Sequence, residues 1–187
     1  MTLSKIVNVV DIKTTCWEPD IIRTPDMVEE IICFAIAAVD TESFEILECN
    51  TAIVKPLVVS NVSTHCTIKT GITLQEVRWS DSLIHTFSNI KHFKLKDRVL
   101  VTWSDSDRNI IINDCKRNNI TYPFNDVHFN LRYFFSLMQN LNNLLDVSDA
   151  INILKIPKSN ILGYESKCND VLDKSNILLS TLRKYRK

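Results

Sequence analysis

Glycine is nearly missing from this chain: Gly71 and Gly163 are the only two in 187 residues. Loops that cradle phosphates or dinucleotides need several glycines at fixed spacing, and neither G-x-G-x-x-G nor G-K-[ST] occurs. Charge of one sign is also lacking, since Lys plus Arg and Asp plus Glu number 22 each. The whole-chain charge therefore predicts no strong general affinity for nucleic acid. The six cysteines (Cys16, Cys33, Cys49, Cys66, Cys115, Cys168) form no C-x-x-C and no Cys/His cluster. That argues against structural zinc and for reduced, mostly buried thiols. No run approaches the ~18 apolar residues of a membrane span, and the N-terminal MTLSKIVNVVDI is no signal peptide. The expectation is a protein without a membrane partner, placed in the cytoplasm or nucleus.

What is present reads as one α/β domain over residues 1–187, with 45% hydrophobic residues. Lys5 to Asp11 is a buried strand candidate. Glu30 to Val39 is a continuous apolar run, and Phe44 to Val54 resumes after the polar break Asp40-Thr41-Glu42-Ser43, which predicts an antiparallel hairpin. Lys55-Pro56 ends the third strand. Thr73 to Glu76 has the form of a capping box. Helical spacing covers Ser80 to His92, Asn109 to Asn118, Asn130 to Leu145, Val147 to Leu154 and Asp170 to Tyr185, with the short strand VLVTW ending at Trp103. Strands followed by helices, a strand and more helices imply a mixed sheet with helices packed on it. Acids stand at three strand or helix ends, where ligand sites in such sheets tend to lie.

Four stretches carry a resemblance. VDIKTTCWE resembles the D-x-E-x-T-C-W-E segment of the histidine-containing (DEDDh) 3′–5′ exonucleases, in their small RNA-trimming branch. EIICFAIAAVDTESFEI is similar to the hairpin that follows it. VKPLVVSNVSTHCTIKTGITLQEV resembles that family's V-K-P…L-T-G-I-T stretch, and VTWSDSDRNII its W-G-D-W-D segment. The resemblance implies an RNase H-like fold, with a mixed five-stranded sheet flanked by helices. It also implies four acids around two divalent cations and a histidine as general base.

Carried over residue by residue, the first acid is Asp11, the third Asp107 and the fourth Asp173, anchored on Asn176-Ile177. The second acid falls on Lys13 and the histidine on Cys168. Asp11, Asp107 and Asp173 are thus the residual metal-ligand candidates, with Mg²⁺ or Mn²⁺ as the cation of any residual activity and no cofactor otherwise. Thr14, Thr15 and Trp17 are candidate nucleic-acid contacts, Trp17 by stacking on a base. Asp105 reads as a turn or N-cap residue. Glu165 and Asp170 are candidate displaced ligands. The basic tail Arg183, Lys184, Arg186, Lys187 reads as a solvated helix end.

Losing a metal-ligating carboxylate and a general base together predicts a catalytically degenerate exonuclease-like domain. Loss of the base alone typically costs roughly 10²–10⁴-fold. The expected role is a protein-binding scaffold within a larger complex, or a single-stranded RNA-binding module. The alternative is an active metal-dependent 3′–5′ exoribonuclease with an altered site.

Overall fold

In this computed structural model, residues 5–157 and 170–185 are described. Strand β1 (Ile6–Thr14) runs antiparallel to β2 (Ile31–Asp40), which runs antiparallel to β3 (Glu45–Lys55). The Asp40 carboxylate closes the hairpin between β2 and β3, accepting from the backbone N–H groups of Glu42 and Ser43. On the other side of β1, β5 (Leu100–Thr102) adds in parallel, and β6 (His128–Asn130) adds to β5. A two-residue β4 (Asp81–Ser82) touches the end of β3. The order is β4-β3-β2-β1-β5-β6, six strands where the resemblance implied five. The two strands not located from the sequence, β4 and β6, have only two and three residues, too short to leave a period.

Seven helices are described: α1 (Thr64–Thr70), α2 (Leu74–Arg78), α3 (Leu83–Asn89), α4 (Asp105–Arg117), α5 (Leu131–Met138), α6 (Val147–Leu154) and α7 (Asp170–Tyr185). Gly71, at φ 74°, ends α1 in the left-handed conformation that glycine adopts without a Cβ clash. Thr73 and Glu76 form the expected capping box at the start of α2. The predicted helix over 130–145 stops at Met138, and Asn140 then takes φ 54°. Helix α4 starts four residues before the Asn109 expected from its apolar spacing, because its first turn is acidic rather than apolar. Aspartates there are favoured by the helix dipole.

The sheet is covered on both faces, which is why β2 reads as an unbroken apolar run. One core joins Val9, Ala35 and Ala37 to Trp103, Phe135, Ile151 and Leu178, so α5, α6 and α7 pack there. The other joins Val10, Phe34 and Ile36 to Phe87, Ile111 and Phe124. Phe34 and Phe87 meet edge to face at 5.3 Å, a favoured aromatic geometry. Side chains alternate along β1, so Asp11 and Lys13 share the face of Val7 and Val9, toward α7. Cys33, Ala35 and Ala37 on the same face of β2 are small, which lets α7 lie close to the sheet. Cys16, Cys49, Cys66 and Cys115 are not disulfide-bonded. Cys33 is disulfide-bonded, a correction to the reduced state expected of it.

Candidate functional site: an acidic cleft holding an ammonium

Asp11 is delivered near the end of β1, where the strand still faces α7 but the apolar core below it has ended. The first turn of α4 adds Asp107, and the first turn of α7 adds Asp170 and Asp173. Helix α6 starts beside them, with Asp146 as its N-cap residue. Three helix N-termini thus converge on one cleft of about 380 Å³, floored by Trp103 and Ile151 and walled by these aspartates. Converging N-termini favour negative charge through their dipoles. Asp11, Asp107 and Asp173, matched one by one from sequence, line this single cleft.

A lysine occupies the space between them, and it is not Lys13. Lys174 reaches in from α7 with its Nζ 2.5 Å from Asp11 Oδ1 and 3.4 Å from Asp107 Oδ2. Lys174 is buried, as is Asp11. Burial pushes the Asp11 carboxyl above its ordinary value, and the Lys174 ammonium pulls against that. Burial works against the charged form of Lys174. The carboxylates of Asp11 and Asp107 outweigh it, so the net direction is upward and the ammonium is held protonated. The second oxygen of Asp11, Oδ2, is buried with no hydrogen-bond partner among the described residues. Lys13 lies at the rim, its Nζ 3.9 Å from Asp170 Oδ2.

No family model matches this chain, and no curated protein matches it. Solved structures do. The nuclease domain of 3′hExo, a DEDDh family member, bound to rAMP, is similar at TM-score 0.82 and 20% identity, over 97% of this chain and 93% of that one. The fold is that of the DEDDh-type 3′–5′ exonucleases. A 3′-exonuclease in 3′-end specific recognition of a histone mRNA stem-loop is similar at TM-score 0.80, and cell-death related nuclease 4 (CRN-4) at 0.81. Both are 20% identical over 97% of this chain, which spans 64% of each of theirs.

The exonuclease fold implies a pair of divalent cations, and the cleft does not fit them. Such cations need oxygen ligands at about 2.0–2.6 Å in near-complete shells. Here an ammonium fills the space that Asp11 and Asp107 would share. Among the described residues no three His, Cys, Asp or Glu side chains are grouped so as to hold a metal. Glu165 and Cys168 lie outside the described residues.

Among the other sequence candidates, Asp170 lines the cleft, while Thr15 and Trp17 are engaged within the fold. The Thr15 hydroxyl is buried, donating to Val28 O and accepting from Glu30 N–H, so it is spent on joining strand ends. The Thr14 carbonyl accepts from Cys66 Sγ. Trp17 is buried, with the Arg23 guanidinium 5.6 Å above its ring. Asp105 sits in the first turn of α4, neither turn nor N-cap, its Oδ1 3.5 Å from His128 Nδ1. Sequence reasoning missed Lys174 and Asp146. The signal for Lys174 was available: with Val171, Ser175 and Leu178 it falls at i, i+3, i+4 and i+7 on the inward face of α7, where an unpaired lysine has no place.

Proposed function

We propose that this domain keeps the exonuclease fold without the hydrolysis and works as a binding module for a protein partner. The observation that carries this reading is Lys174, an ammonium built into the space between two of the matched acids. It neutralises part of the acid cluster permanently, as exchangeable cations would do only when bound. An ammonium cannot lower the pKa of a bound water as a divalent cation does. Lys13 in place of the second acid removes a further donor, so both changes act in the same direction.

A protein partner is favoured over RNA by the charge left in the cleft. Among the described residues, Asp11, Asp107, Asp146, Asp170 and Asp173 outnumber Lys13 and Lys174, an excess of negative charge. Without divalent cations to bridge them, phosphates are repelled there. The test is to incubate the protein with 3′-labelled single-stranded RNA and DNA in Mg²⁺ or Mn²⁺, beside an Asp107→Ala control. No shortening above that control is expected. Shortening abolished by Asp107→Ala would overturn the proposal in favour of an active exonuclease.

A further inference from the structure

On the other face of the sheet from the cleft lies an open groove of about 660 Å³, between α3, the 3₁₀ turn at Lys91–Phe93 and the segment that follows α4. Its floor is mainly apolar, made by Ile84, Phe87, Leu95, Ile120, Tyr122 and Pro123. Ile84 is 52% exposed although it sits on a helix with a buried face. Lys91, Lys94 and Lys96 stand around this floor, all exposed, with Asp97 the only acid among the lining residues. The chain as a whole is neutral, so this local excess is a segregation of charge: acid in the cleft, base around the groove.

We infer that this groove docks an acidic amphipathic helix of a partner protein. The apolar stripe of such a helix fits the floor, and its flanking carboxylates meet the three lysines. Charge complementarity of this kind selects partners and speeds association. Nucleic acid fits less well, because a stacking site needs a free aromatic face. Phe87 is buried, and Lys96 already stands 5.7 Å from the Tyr122 ring centre. The inference rests on the binding-module reading for its meaning, but its test does not involve the cleft.

The probe is a fluorescein-labelled helical peptide with leucine and phenylalanine on one face and glutamate on the other. Its controls are a scrambled peptide of the same composition and single-stranded oligouridine, and binding is read by anisotropy. The patterned peptide is expected to bind with salt-sensitive affinity. Lys91→Glu, Lys94→Glu and Lys96→Glu together are expected to weaken it by at least about tenfold. Ile84→Asp, which alters the floor at an exposed position, is expected to weaken it while leaving the circular dichroism spectrum unchanged. Equal binding of the scrambled peptide, indifference to these substitutions, or preference for oligouridine overturns the proposal. Nuclease activity in the cleft would sink the earlier reading alone, and failure of the peptide would sink this one alone.

Discussion

Two places in this molecule bury carboxylates, and they neutralise them by different means. At the entry to β2, Glu30 accepts from three consecutive backbone N–H groups, those of Leu57, Val58 and Val59, at 2.7–3.1 Å. Nearby, Asp114 accepts from Ile31 N–H at 2.7 Å and pairs with Arg117. In the cleft, Asp11 depends, among the described residues, on one side chain, Lys174, and keeps an oxygen without a partner there. Carboxylates held by the main chain are fastenings, because their partners move only when the chain moves. A carboxylate held by one side chain, at the wall of a cavity, depends on that side chain alone for its counter-charge.

Removing Lys174 should have the largest effect. Lys174→Ala leaves Asp11 buried and uncompensated, a loss that typically costs about 3–5 kcal/mol. In the variant, Asp11 has a folded pKa above its unfolded one, so the folded form binds the extra proton. Its stability therefore falls as pH rises through that window, and the deficit in urea denaturation should be larger at pH 8 than at pH 5. A loss below about 1 kcal/mol would break the comparison, because water or counter-ions would then serve Asp11 as well as the lysine does. The same variant should bind Mn²⁺ at least about tenfold more tightly by calorimetry, the scale typical of changes around a metal site.

Glu30→Gln sharpens the other side. The substitution replaces one accepting oxygen by a donor amide facing backbone donors. Hydrogen bonds to charged groups are typically worth about 1.5–3 kcal/mol, and a loss in that range is expected in the urea midpoint. Unlike the Lys174 variant, it should gain no affinity for Mn²⁺.

Asp114 gives a pH test of the same corner. Burial pushes its carboxyl up to about 6, against the Ile31 N–H and the Arg117 guanidinium, which pull it down. The folded value lies above the unfolded one, so the folded state binds more protons between about pH 4 and 6. Stability should fall as pH rises through that window and level off above it. Asp114→Asn should flatten this slope, a difference of about 1–2 kcal/mol across the window after screening is allowed for. An unchanged slope would place the titrating group elsewhere.

The sequence announced β1 and β2, whose buried stretches leave apolar runs, and it announced the mostly exposed β3 by the polar break at Asp40–Ser43 that precedes it. It announced the capping box at Thr73 and the full span of α7. It did not announce β4 and β6, which are held by parallel pairing at two and three residues and carry no period of their own. Helix α1 also went unread, because His65, Thr67, Lys69 and Thr70 give its seven residues no apolar stripe. For the site, Asp11, Asp107 and Asp173 were legible as positions in matched segments. Lys174 was legible from its place on the inward face of α7 but not from the motifs, because a motif comparison asks which residue stands at each expected place. The decisive lysine instead stands one residue beyond such a place and reaches it with a long side chain.

That displacement sets the last and smallest prediction. Lys13 is the conspicuous departure from the resembled motif, an ammonium where that motif has a carboxylate. Its Nζ meets Asp170 at 3.9 Å, at a rim where that partner is 47% exposed. Pairs of this kind contribute about 0–1 kcal/mol and are screened by salt. Lys13→Met should therefore change stability by less than about 1 kcal/mol, by a margin that shrinks further in high salt. Lys13→Glu alone should gain neither Mn²⁺ affinity nor nuclease activity, because Lys174 still fills the space between Asp11 and Asp107. Lys13→Glu combined with Lys174→Ala should gain Mn²⁺ affinity beyond either single change, since one substitution empties the space and the other adds a donor beside it. If Lys13→Met instead costs as much as Lys174→Ala, the rim charge holds the cleft together, and the contrast between a fastened corner and a singly held acid must be redrawn around Asp170.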